Sequence, residues 1–204
     1  MTSGRAVQAK APPLLEDAAL LERCRQGDTA AFGPLIVKYQ DRVYNSILRL
    51  CGNCDDAEEL CQDTFVKALE NLLAFRQASG FYTWLFRIAV NLTISRRRRA
   101  SRVRFHSLEG DNGDDHDARG DRPSGDARQD DPRELALAGD SRRQVVKALV
   151  ELDEEFSAVV VLRDIEDMNY EQIAQVLEVP VGTVKSRLYR ARALLREKLQ
   201  DVAP

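Results

Sequence analysis

The chain has 204 residues, 44% of them hydrophobic and 31% charged, with a formal net charge of −3. That length suits two small helical domains, and the mixed composition excludes a fibrous or wholly disordered protein. No apolar run approaches the roughly 20 residues that cross a bilayer, and the N-terminus lacks the apolar centre of a signal peptide. A cytoplasmic location with no direct membrane insertion is therefore expected.

Residues 1–16 are Ala, Pro and polar residues without period, which predicts a disordered tail. From Asp17 the pattern turns helical, with Leu20, Leu21 and Cys24 on one face, until Gly27-Asp28 breaks it. A second helix is predicted from Thr29 to about Cys51 on the stripe Phe32, Leu35, Ile36, Tyr39, Val43, Ile47 and Leu50. Pro34 is tolerated because it falls in the first turns. A third, from Asp55 to Leu73, is expected to bury Ala57, Leu60, Cys61, Phe65, Ala68, Leu69 and Leu72 and to leave Glu59, Gln62, Asp63, Val66 and Glu70 outside. After a loop at Ala74–Gly80, a fourth starts near Thr83 with Trp84, Leu85, Ile88, Ala89 and Leu92 inward. Its other face repeats Arg87, Asn91, Ser95 and Arg98 at helical spacing and runs into the arginine cluster Arg96–Arg99, where the macrodipole also favours cations.

The segment from His106 to Asp140 holds eleven acids against four arginines and almost no aromatic or β-branched residues. It cannot bury enough apolar surface to offset its ordering entropy, so residues 105–140 are predicted as a flexible acidic linker. That linker carries a local charge of −7, and the rest of the chain is net positive. The second domain, 141–204, is expected as helices at Ser141–Leu152 and Glu154–Glu166, then a helix-turn-helix. Asn169 with Gln172 predicts a capping box, Ile173, Ala174 and Leu177 an inner face, and Pro180 the start of a new helix. In that last helix Val184, Leu188, Ala191, Leu195 and Leu199 form one stripe, which leaves Lys185, Ser186, Tyr189 and Arg190 outward with Arg187, Arg192 and Arg196 on the flanks. From Thr183 to Lys198 there are six basic residues and one acid, which favours phosphate and base contact over a merely solvated face. The expected fold class is all-α, and no strand-period segment or internal repeat is seen.

Cys51 and Cys54 form a C-x-x-C, a weak candidate for metal or redox chemistry set against reduced structural thiols. No second ligand pair accompanies them. No Gly-rich phosphate loop and no Ser/His/Asp set is evident, so neither an enzyme nor a cofactor is expected. An ordinary DNA-binding regulator with a receiver domain is disfavoured, because residues 17–99 read as all helix.

Two blocks, DDAEELCQDTFVKALENLLAFRQASGFYTWLFRIAVNLTISRRRR from Asp55 and LDEEFSAVVVLRDIEDMNYEQIAQVLEVPVGTVKSRLYRAR from Leu152, resemble the two-domain extracytoplasmic function group of sigma-70 factors. The resemblance implies sigma region 2 over 17–104, a linker, and sigma region 4 over 141–204. It implies docking on the clamp helices of the RNA polymerase largest subunit through Asp56, Glu59, Gln62 and Asp63, and on the flap of the second largest subunit. It also implies capture of the −10 element by Lys67, Asn71, Phe75, Arg87, Ile88, Asn91, Ser95, Arg96, Arg97 and Arg98. Thr183, Lys185, Ser186, Arg187, Tyr189, Arg190 and Arg192 are then the −35 contacts, and an anti-sigma protein is an expected partner. Trp84 and Phe81 are weaker candidates for the same pocket, because they fall on the inward stripe or at its start, and core packing is the expected role for Trp84. The C-x-x-C is not part of the family pattern.

Overall fold

The computed structural model describes residues 14–75, 80–108 and 143–200, and among these the regular structure is helical. Helix α1 (Leu14–Arg25) leads through a 3-10 turn at Thr29–Phe32 into α2 (Gly33–Cys51), then α3 (Cys54–Glu70), a 3-10 turn at Leu72–Ala74, and α4 (Phe81–Leu108). The second unit consists of α5 (143–150), α6 (Glu154–Val160), α7 (Tyr170–Leu177) and α8 (Val181–Gln200). The predicted linker lies almost wholly outside the described residues. Its first residues, to Leu108, continue α4, and α4 also begins two residues before the predicted Thr83.

Local chemistry sets the boundaries. Pro34 sits in the first turn of α2, where its missing N–H costs nothing. Gly52 ends the helix with φ +74, and its N–H returns to the Leu48 carbonyl at 2.8 Å. A side chain there is excluded twice: the φ is left-handed, and a Cβ would lie 2.7 Å from Val150 Cγ2 of α5. One residue on, the Asn53 side chain caps α3 by accepting the Asp56 N–H at 2.9 Å.

Inside the first unit, α3 buries Ala57, Leu60, Thr64, Phe65 and Ala68. Leu69, expected inside, is 37% exposed, because the seam runs through Thr64 instead, whose hydroxyl is satisfied by the Leu60 carbonyl at 2.7 Å. Such back-bonding lets a small polar residue occupy a core position that a hydropathy pattern skips. Asp17 is buried and accepts bonds from Lys38 and Tyr39, which anchors α1 on α2.

Helix α4 is buried more widely than one stripe. Besides Trp84, Leu85 and Ala89, it buries Phe86, Val90 and Thr93, while Ile88 and Leu92 remain half-buried. Phe86, Val90 and Thr93 share a helical row with Tyr82 and Arg97, and both of those residues bond to the second unit. One apolar cluster runs through both units, from Leu21 through Val90 to Leu149 and Ala191. The two predicted domains are thus packed as one body.

In the second unit Asn169 and Gln172 form the predicted capping box, with bonds of 2.8 and 2.9 Å. Helix α7 buries Ile173 and Val176, with Ala174 and Leu177 half-buried. Its exit residue Glu178 stands at φ 54 and ψ 43, a left-handed conformation usually given to glycine, and returns its N–H to the Ala174 carbonyl. Val184, Leu188 and Ala191 of α8 are buried, and the stripe fades to half-buried at Leu195 and Leu199. No helix among the described residues is long and apolar enough to cross a membrane.

Candidate nucleic-acid interface

Between α3 and α4 lies an open pocket of about 400 Å³. Lys67 and Asn71 come from the end of α3 and Ala74 from the turn after it; Trp84, Arg87, Ile88, Asn91, Leu92 and Ser95 come from successive turns of α4. Helical spacing explains the convergence, since positions 84, 87, 88, 91, 92 and 95 of one helix lie on one face. Its chemistry is mixed in a useful way. Trp84, Ile88 and Leu92 offer an apolar bed for a planar ring, Asn71, Asn91 and Ser95 offer polar groups at its edge, and Lys67 and Arg87 supply positive charge. The Asn71 amide is fixed by donating to the Lys67 carbonyl at 2.8 Å. Such a combination suits an unstacked base with its phosphate.

The structure brings six of the predicted −10 residues to this pocket: Lys67, Asn71, Arg87, Ile88, Asn91 and Ser95. Phe75 is not among them. It is 4% exposed and stacks in the core against Trp84 at 4.9 Å and Phe81 at 6.0 Å. Its carbonyl accepts from Arg25 at 2.5 Å, and the Arg25 guanidinium lies over its ring, so it anchors the loop rather than walling the pocket. Trp84, at 7% exposure, packs in the core as expected and also lines the pocket. Periodicity places it inward, and one aromatic can serve as both core and floor.

The arginine cluster does not form one continuous DNA-facing strip. Arg96 bonds Asp56 at 2.9 Å and Glu59 at 2.7 Å, two of the four residues expected to dock on polymerase. The Arg97 guanidinium donates to the carbonyls of Leu50, Val150 and Leu152 at 3.1, 2.8 and 3.0 Å and to Ser157 Oγ at 3.2 Å. It ties the end of α2 to the second unit, so in this packing the guanidinium is engaged within the chain rather than facing solvent. Its chemistry explains this, because a planar guanidinium with five donors satisfies carbonyls left open at helix ends. Arg98 is exposed. Gln62, Asp63 and Val66 of α3 remain exposed beside Glu59, so a polar-apolar face stays open there.

On α8, Lys185, Ser186, Tyr189 and Arg190 project outward, Tyr189 at 81% exposure, and Thr183 is half-buried. Lys185 Nζ stands 5.6 Å from the Tyr170 ring centre, which draws the start of α8 toward α7. Arg187 pairs with Glu155 and Arg192 with Asp164, so in this state both flanking arginines bond to α6 and the π-helical turn after it rather than standing free.

Cys51 and Cys54 flank the turn between α2 and α3. Burial pushes the Cys51 thiol up, and burial followed by the Asp41 charge pushes Cys61 up to about 11, so both are thiols rather than thiolates at neutral pH. Burial, then a bond with Cys54, raises the Tyr44 phenol to about 12. Among the described residues no group of three or more His, Cys, Asp or Glu is placed to hold a metal ion.

Residues 35–103 match the family model for sigma-70 region 2 and residues 142–195 that for sigma-70 region 4. The chain is 34% identical over 194 residues to the ECF RNA polymerase sigma-E factor of Escherichia coli, covering 92% of this chain and 96% of the relative. The same factor of Haemophilus influenzae is 34% identical over 193 residues, covering 92% and 97%. Among solved structures, CnrH in complex with the cytosolic domain of CnrY aligns with a TM-score of 0.64 at 27% identity, over 92% of this chain and 99% of that one. The sigma factor RpoE of Bartonella quintana, in complex with the anti-sigma factor NepR, aligns with a TM-score of 0.63 at 25% identity, over 83% and 96%.

Proposed function

Because the chain belongs to the sigma-70 family, in its extracytoplasmic function group, we propose that it joins core RNA polymerase and directs promoter-specific initiation without catalysis of its own. The observation that carries this reading is the pairing, in one chain, of a base-sized polar pocket on α3 and α4 with an outward basic face on α8. In the first, an unstacked base of the −10 element lies on Trp84 and Ile88 with its edge toward Asn71, Asn91 and Ser95, and Lys67 and Arg87 take its phosphates. Holding the base out of the stack supplies part of the energy that strand opening costs. In the second, Lys185 and Arg190 donate to base acceptors in the major groove of the −35 element, Tyr189 stacks or meets a methyl group, and Thr183 and Ser186 bond phosphate.

Gln62, Asp63 and Glu59, continued by exposed Val66, form the face for the clamp helices of the largest polymerase subunit, and the second unit meets the flap of the second largest. An anti-sigma protein is the expected regulator, since the aligned RpoE is seen with one. Run-off transcription with purified core polymerase tests the reading. A defined start site downstream of paired −35 and −10 elements is the expected outcome, and a chain that fails to associate with core overturns it.

A further inference from the structure

The least expected group in the molecule is Glu166, a carboxylate 5% exposed at the end of the predicted α6 helix. All three of its side-chain partners belong to the first unit. Arg42 Nε donates at 3.0 Å, Ser46 Oγ at 2.6 Å and Tyr82 OH at 2.5 Å, across 124, 120 and 84 residues of chain. The Arg42 guanidinium also sits 4.8 Å from the Tyr82 ring centre, so cation and phenol are held together around the acid. Burial first and the Glu166 carboxylate second raise the Tyr82 phenol well above its ordinary range, which keeps it a donor.

The backbone is built to deliver that side chain. Val161–Ile165 winds as a π-helical turn, with the Glu166 N–H returning to the Val161 carbonyl at 3.0 Å. The wider turn rotates the residues after it, and Asp167 then reverses the chain at φ 54, a conformation that non-glycine residues seldom adopt. A second link between the units is the Glu178 carboxylate after α7, which lies 3.5 Å from Arg87, a residue of the pocket on α4.

In this packing the two DNA-facing surfaces are fixed on one body. A single compact body of about 200 residues has a radius of gyration of about 16 Å and is on the order of 40 Å across. Elements centred at −35 and −10 are about 25 base pairs apart, or about 85 Å at 3.4 Å per step. The closed body is too small to reach both.

We propose that the Arg42–Ser46–Tyr82 socket of the first unit is a carboxylate receptor with Glu166 as its intramolecular ligand, and that this latch holds the free chain closed until polymerase draws the units apart. The latch rests on the sigma-factor reading. It adds that one buried acid, beside the Arg97 bonds and the shared apolar cluster, biases opening, so affinity for core is lowered by the fraction of chains that are closed.

The test uses the full chain. Small-angle X-ray scattering measures its size, and immobilised core polymerase measures its affinity. Glu166→Gln is expected to raise the radius of gyration by several ångströms and to tighten core binding by about tenfold, with helical content retained. Tyr82→Phe removes one oxygen and keeps the ring contacts with Tyr39 and Phe86, and is expected to shift both in the same direction, by about threefold in affinity. It decides the matter if Glu166→Gln loses helix. Unchanged scattering and core affinity in the helical variants overturn the latch. Failure of the parent chain to bind core sinks the sigma-factor reading instead, and the scattering still decides whether the latch exists.

Discussion

On α8, Lys185, Ser186, Tyr189 and Arg190 project into solvent, whereas on α4 each arginine from Arg87 to Arg97 already has a partner within the chain. Arg87 meets Glu178, Arg96 meets Asp56 and Glu59, and Arg97 meets three carbonyls. The face proposed for the −35 element is therefore presented ready-made, and the one proposed for the −10 element is partly engaged by the rest of the molecule. A cation counted from sequence is a DNA contact only after its competing partners are known. Competition also differs in kind: Arg96 sits in an exposed ion pair, which contributes little, and Arg97 in a half-buried fork of carbonyls, which contributes much.

The sharpest way to break this contrast is Arg97→Ala. Leaving the Leu50, Val150 and Leu152 carbonyls without their charged donor is expected to cost about 2–4 kcal/mol of stability, read by urea unfolding. A variant as stable as the parent, with DNA binding alone reduced, returns Arg97 to the DNA-facing strip. The opposite pattern is expected on α8. Lys185→Ala and Arg190→Ala each remove exposed groups, so stability should move by no more than about 0.5 kcal/mol. Holoenzyme binding to a promoter should weaken by about 1–3 kcal/mol where the residue reads a base, with discrimination relaxed at that position. Equal weakening on all sequences would make the residue a phosphate contact instead.

Where a residue answers to its own helix, the sequence was a good guide. The Asn169–Gln172 capping box and the Val184–Leu188–Ala191 stripe depend on neighbours three or four positions away. Lys67, Asn71, Ile88 and Asn91 met at one pocket because α3 and α4 are adjacent in sequence and pack directly. What escaped were residues whose partners lie far along the chain. Phe86 and Val90 are as apolar as the expected core residues of α4, but a single periodic stripe allowed that helix one buried face, and the second unit gave it another. Glu166 reads as the polar end of a helix, and only the fold places Arg42 and Tyr82 around it. Phe75 packs away from the pocket lining for a simpler reason: an aromatic next to a loop pairs with whichever surface is nearer, and Trp84 and Phe81 are nearer.

Arg96→Ala is expected to change stability as little as the α8 variants do, and it separates two uses of one charge. The pair with Asp56 and Glu59 is exposed, with 42% of the arginine side chain open to solvent, so its loss should change stability by no more than about 0.5 kcal/mol. Functionally the pair is less neutral. While Arg96 holds them, Asp56 and Glu59 present half their charge to a basic partner, and the guanidinium presents little to a phosphate. If polymerase takes the two acids, Arg96 is released onto the DNA side of α4. Removing it should then leave core binding equal or slightly tighter and weaken promoter opening, measured as the salt dependence of open-complex formation, whose slope should fall by about one. Weaker core binding with an unchanged slope would instead make the pair a support for the α3 surface, and would move Arg96 out of the DNA-contacting set.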